Sequence, residues 1–139
     1  MHIWLYVLIN TIKFLFLINF MTMLTKQELH NLAMNIAGKE LEKQGFEFLA
    51  INSSLAVSPQ FVCVDAKNLL YFVVVKPILY PENPDVFDKI WAETFKTYAK
   101  QKNATVLYAS VGLANASNYE LPITQTDDYI VNFKGFIEL

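Results

Sequence analysis

The 139-residue chain has no arginine, a single cysteine, two histidines and four glycines, and each scarcity closes off a class of function. All eleven cations are lysines and the net charge is −2. Nucleic acids are held by dense cationic contacts in which Arg is the usual bidentate fork for phosphate and guanine, so this acidic chain, with a pI near 5.6, is not expected to bind them. Cys63 alone rules out an internal disulfide framework, a Cys-rich zinc site and a four-cysteine iron–sulfur cluster. With only His2 and His30 beside it, metal chemistry has to rest on carboxylates, and neither a metal nor a cofactor is expected. What is present is apolar: 54% of residues are hydrophobic and 17% charged, the composition of a folded chain. The length suits one domain. There is no glycine-rich phosphate loop, internal repeat or low-complexity stretch.

Residues 1–23 stand apart. Seventeen are apolar, the exceptions being His2, Asn10, Thr11, Lys13, Asn19 and Thr22, and residues 3–22 are long enough to cross a bilayer as a helix. Against a membrane span, Lys13 sits near the middle, where a charge costs about 2.5–3.5 kcal/mol on insertion scales. Against a secretory signal, there is no cationic start and no small-residue cleavage site. The residue types are those of A/T-rich codons, and Met21 or Met23 precedes a helix cap. The segment is therefore expected to be a mis-assigned start, a single membrane anchor or a core or interface helix, in that order. Residues 24–139 form the expected single α/β domain, with ten Lys against thirteen acids.

Thr25-Lys-Gln-Glu28 reads as a capping box. The stripe Leu29, Leu32, Ala33, Ile36, Ala37 and Leu41 predicts a helix that ends at Gly45, with His30 at its surface or boundary. Phe46–Asn52 reads as a strand. Phe61–Val64 and Leu69–Val75, separated by Asp65-Ala-Lys-Asn68, read as a hairpin. Its second arm is apolar on both faces, hence a central strand covered from both sides. Pro77, Pro81 and Pro84 mark an extended connection. Asp85 is the expected cap of a helix running to Lys102 with an apolar face of Val86, Ile90, Trp91, Thr94, Phe95 and Tyr98. Thr105–Val111 is a strand ending at Gly112, residues 113–127 a polar loop, and residues 129–134 a late strand. The order is αβββαβ, with a mixed sheet of four to five strands flanked by helices and at least two strands parallel.

This order, with a lysine closing the second arm of the hairpin, resembles the core of the PD-(D/E)xK, restriction-endonuclease-like superfamily. Small members carry G-E-I-D and then F-V-E-V-K. Here Ser58-Pro-Gln-Phe61 and Phe72-Val-Val-Val-Lys76 occupy those places at the same separation. The resemblance implies a nuclease fold in which Phe61 replaces the metal-binding Asp and Val74 the second acid, while Lys76 persists. In such sites two carboxylates seat a divalent cation that activates water, and the lysine assists. Lys76 is thus either a relic or a polar strand stop. Glu40, Glu42 and Glu93 are the candidates for relocated acids, although Glu93, between Lys89 and Lys96 on a helix, reads as an exposed ion-pair partner. Cys63 reads as an inert small hydrophobe. Tyr71, Tyr80, Tyr108, Tyr119, Phe133 and Phe136 read as core, not as a base-stacking platform.

Asn115, Ser117, Asn118 and Tyr119, just past the fourth strand, are the expected ligand- or partner-binding residues, because α/β sheets place sites at the C-terminal ends of parallel strands. The expectation is a small cytoplasmic, non-catalytic nuclease-fold protein that binds a protein partner or itself. A metal-dependent nuclease using Lys76 with relocated carboxylates and a membrane-anchored module are the alternatives.

Overall fold

The structure is a computed structural model that describes residues 7–13, 22–55 and 57–139. Residues 7–13 are helical, with Val7, Leu8, Ile9 and Ile12 exposed. The remaining expectations for the 1–23 segment fall mostly outside the described residues. Among the described residues no helix is long and apolar enough to cross a membrane.

Helix α1 (Lys26–Lys43) begins at the expected box: the Glu28 amide donates to Thr25 Oγ1 at 3.1 Å and the Thr25 amide to Glu28 Oε1 at 3.0 Å, a cap worth about 1 kcal/mol. It ends where Gly45 turns left-handed at φ +89°, and the Phe46 amide returns to the Leu41 carbonyl at 3.0 Å, closing the orphan carbonyls of the last turn. Strands β1 (Glu47–Ile51), β2 (Phe61–Val64) and β3 (Leu70–Leu79) form an antiparallel meander. Helix α2 (Lys89–Gln101) then carries the chain to β4 (Ala104–Asn115), which lies parallel to β3. Strands β5 (Tyr129–Asn132) and β6 (Ile137–Glu138) both pair antiparallel with β4. The result is a mixed α/β architecture, one six-stranded sheet in the order β1-β2-β3-β4-β5 with β6 also on β4.

The sheet has a helix on each face. Leu29, Ala33, Ala37 and Leu41 of α1 pack on Phe61, Val73, Val75 and Leu107, and Ala99, Trp91 and Phe95 of α2 on Phe72, Val74, Val106 and Tyr108. Consecutive residues of β3 therefore serve opposite cores, which is why that stretch is apolar without alternation.

Four boundaries depart from expectation. Strand β3 does not stop at Lys76 but runs to Leu79 in parallel register with β4. Pro77 is tolerated inside it because its missing donor faces the β2 side, as the Val75 amide does, and β2 pairing ends at Phe61–Val73. Strand β4 likewise continues through Gly112 to Asn115, so the sequence from Leu113 is strand before it is loop. Helix α2 starts three residues late: Asp88 accepts from the Trp91 amide at 3.1 Å, whereas Asp85 bridges Lys134 at 2.9 Å. Val86 and Ile90, expected in the apolar face, are 68% and 82% exposed, since the face toward the sheet is set by Trp91, Ala92, Phe95 and Ala99. Finally, β6 was not expected; a two-residue strand carries too little pattern to be read.

Candidate functional site

Lys76 stands on the α2 face of β3. Its Nζ lies 4.7 Å from the centre of the Trp91 ring, a cation–π contact, while its side chain remains exposed. Val74, two residues earlier on the same face, is wholly buried with Phe72, Val106 and Tyr108. Phe61, which the resemblance would equate with the first acid, faces the other way. It pairs with Val73, stacks on Phe48 at 5.1 Å and touches α1. Side chains directly opposite on antiparallel strands share a face, so Phe61 and Val73 belong to the α1 side and Val74 and Lys76 to the α2 side. The three positions equated with the nuclease triad do not converge. Gln60, which the sequence reading passed over, fills the break in the ladder instead: its Oε1 accepts from the Val75 amide at 2.8 Å and its Nε2 donates to the Val57 carbonyl at 2.9 Å.

The proposed relocated acids are scattered. Glu40 accepts from Gln44 Nε2 at 3.0 Å, and Glu42 lines a hollow between α1 and β1 with Lys39 and Phe48; both are separated from Lys76 by the sheet. Glu93 is exposed and sits about 200° around α2 from Trp91. It has no ion pair with Lys89 or Lys96; among the described residues the ion pair joins Lys134 to Asp85. No group of three or more His, Cys, Asp or Glu side chains suited to a metal occurs among the described residues. Cys63 is buried, which pushes its thiol up to about 11 and keeps it a protonated, unreactive group at neutral pH. His30, expected at the surface or boundary of the helix, is buried in α1 with Nε2 unpartnered; burial lowers its pKa below the ordinary 6.5.

Two hollows lie at the C-terminal ends of β3 and β4, one on each face of the sheet. One, of about 270 Å3, is on the α1 face with Leu113 and Ile123, and the other, of about 230 Å3, on the α2 face with Gly112 and Ala114; Tyr80 and Tyr119 border both. The first is walled by Met23, Leu24, Leu79 and Leu121, the second by Ile78, Pro84, Ile130 and Asn132. Tyr80 and Tyr119 meet edge to face at 5.7 Å and are each about half exposed, which corrects the core role expected of these two rings; Tyr71, Tyr108, Phe133 and Phe136 do pack in the cores. Gly112 forms the floor between strands. A Cβ there would stand 3.1 Å from both Cβ and the carbonyl oxygen of Asn132 and 3.3 Å from Pro84.

Of the expected binding residues, Tyr119 lines both lobes. Asn115 lies at the edge of the first, but its side chain is already spent. Its Nδ2 donates to the Pro122 carbonyl and to Asp127 Oδ2, both at 3.0 Å, and its Oδ1 accepts from the Ser117 amide at 2.9 Å and the Asn118 amide at 3.4 Å. Asn115 therefore organises the loop. Asp127 completes the knot by accepting from the Thr124 amide at 2.9 Å, and that bond, with the one from Asn115, holds its carboxyl below the usual range. Asn118 caps the Glu120 amide at 3.0 Å, and Ser117 points to solvent outside both lobes. Leu79 and Leu121 wall the first lobe but carry no sequence signal, since they lie in proline-bearing segments that read as connections.

The family model of a domain of unknown function, DUF8840, matches residues 27–139. No curated protein and no solved structure matches the chain.

Proposed function

The chain belongs to the DUF8840 family over residues 27–139, and we propose that it is a non-catalytic protein with a restriction-endonuclease-like core, acting as an interaction module through the exposed Tyr80–Tyr119 pair. The αβββαβ order, with an antiparallel meander and a parallel fourth strand reached through α2, supports the likeness of the core. One observation carries the non-catalytic reading. The position of the second acid is a buried valine, and the lysine beside it rests on an indole face. A cation seat needs carboxylates converging on one face, and here that face is filled with side chains that only pack. The Tyr80–Tyr119 pair supplies the complementary half of the reading, since half-exposed tyrosines beside apolar walls are enriched among the anchors of protein interfaces.

The test is incubation of the purified full-length chain with plasmid, single-stranded DNA and RNA in magnesium or manganese. The expected result is no cleavage above a buffer control at any metal concentration. Metal-dependent cleavage that disappears in Lys76→Ala would establish the nuclease with relocated carboxylates and end the non-catalytic reading.

A further inference from the structure

The sheet has two edges, and they are built differently. Among the described residues β1 pairs only with β2, and β5 only with β4. Strand β1 carries a bulge between Phe48 and Ala50, and the Ser53 carbonyl just past its end is taken by Gln27 Nε2 at 2.7 Å. A bulge twists an edge away from further pairing. Strand β5 has no such device. Its register with β4 is regular from Tyr129 to Asn132, it contains neither lysine nor proline, and Tyr129, Ile130 and Val131 are 42%, 40% and 40% exposed.

The backbone of β5 is directed as well as open. The Ala116 amide donates to the Asp128 carbonyl at 3.0 Å, and bonded and non-bonded pairs alternate along an antiparallel ladder. Ile130 and Asn132 therefore turn their amides and carbonyls toward β4, opposite Ala114 and Gly112, while Tyr129 and Val131 turn theirs to the open side. Ile130 shares the α2 face with Gly112 and Ala114, and Tyr129 and Val131 share the α1 face with Leu113.

We infer that β5 pairs antiparallel with β5 of a second copy of this chain, about a two-fold axis at Ile130, joining the two sheets into one. Bonded pairs can form only between residues whose backbone groups face the open side, which sets Tyr129 of each copy against Val131 of the other. Ile130 then faces Ile130 across the axis, so the apolar side chains of the edge are covered on both faces of the sheet. Charge selects this occupant. An antiparallel copy brings the acidic start of one strand, Asp127-Asp128, to the end of the other that carries Lys134. In this register Asp128 stands opposite Asn132 of the second copy and diagonal to its Lys134, within reach of a long side chain, and no like charges are opposed. A foreign strand of uniform charge would suit one end and repel the other. Lys134 is already held at this surface by Asp85 at 2.9 Å, with side chains 69% and 56% exposed, a bridge weak enough to be shared. The inference goes beyond the interaction-module reading and does not depend on the role given to the Tyr80–Tyr119 pair.

The test is sedimentation velocity of the full-length chain across roughly 1–300 μM, with hydrogen exchange measured at both ends of the range. A strand pair of this length buries less than a permanent dimer does, so a Kd on the order of 1–100 μM is expected. The amides of Tyr129 and Val131 are expected to exchange severalfold more slowly at the high concentration. Val131→Pro removes an amide that the monomer does not use, at a position where an edge strand tolerates proline, and is expected to abolish the dimer. Ile130→Lys opposes two like charges across the axis and is expected to weaken it at least about tenfold, with the circular dichroism of both variants matching the wild-type monomer. Asp128→Lys is expected to weaken it about threefold, as is high salt on the wild type. A monomer throughout the range, a dimer that Val131→Pro and Ile130→Lys both leave intact, or a dimer in which Tyr129 and Val131 gain no protection overturns the inference.

Discussion

Asn115→Ala separates a structural asparagine from a ligand-binding one. The side chain is 3% exposed and ties three segments of the loop: Pro122, Asp127 and the Ser117–Asn118 turn. Alanine removes all of these bonds. The two short ones to backbone groups, Pro122 and Ser117, contribute about 1 kcal/mol each; the contact to Asp127, reached by solvent, is left out of the sum. A loss of about 2 kcal/mol follows, which in a domain of this size lowers Tm by about 6–8 °C. Urea unfolding followed by tryptophan fluorescence and circular dichroism reads the change as a lower midpoint at constant m. A second readout comes from Asp127. Its folded pKa lies below its unfolded value, so its stabilisation is complete above pH ~4 and is lost as pH falls through the folded value. With Asn115 gone, that acid-side loss shrinks, and in a double-mutant cycle Asn115→Ala and Asp127→Asn are non-additive. Stability within about 0.5 kcal/mol of the wild type, with additive effects, would refute the organising role and return Asn115 to the list of ligand contacts.

His30 makes a further pH prediction: because its folded pKa lies below 6.5, the unfolded chain takes up a proton first, and stability falls as pH drops from 6.5 toward the folded value, by at most about 1.4 kcal/mol per pH unit. His30→Leu removes that slope in denaturant titrations between pH 7 and 5. Gly112→Ala sets a Cβ against Asn132 and Pro84 and is expected to cost about 1–3 kcal/mol, measured by thermal unfolding. Rebuilding the nuclease acids as Phe61→Asp with Val74→Glu is expected to create no magnesium site in calorimetry, since the two positions face opposite sides of the sheet; Val74→Glu alone costs about 3–5 kcal/mol as an unpaired buried charge.

Where short-range chemistry decides the outcome, the chain is legible. The Thr25 cap needs only an oxygen three residues from an amide and a glutamate to return the bond, and Gly45 only a left-handed turn; both stand as read. The doubly buried character of Leu70–Val75 is written in its unbroken apolar run. The start of α2 was less legible, because Asp85 and Asp88 are equally good caps in isolation and a lysine forty-nine residues away claims Asp85. The extent of β3 and β4 was misread for a related reason: Pro77 and Gly112 signal strand ends only when a neighbour needs the donor or a side chain fills the space, and here β2 has already ended and Asn132 occupies the gap.

The candidate site shows the same division. The sequence alone determined that this chain has the length of one domain, no arginine, no thiol or imidazole cluster and cation-free acidic stretches at residues 77–88 and 103–133, since those properties do not depend on which residues touch. The tertiary structure decided that Phe61 and Val74 lie on opposite faces, that Asn115 is consumed by its own loop, and that Tyr80 and Tyr119, thirty-nine residues apart, meet at an exposed edge-to-face contact. Facing, satisfaction of hydrogen bonds and concavity are relations between distant segments, fixed by strand register and packing, and a linear pattern does not carry them.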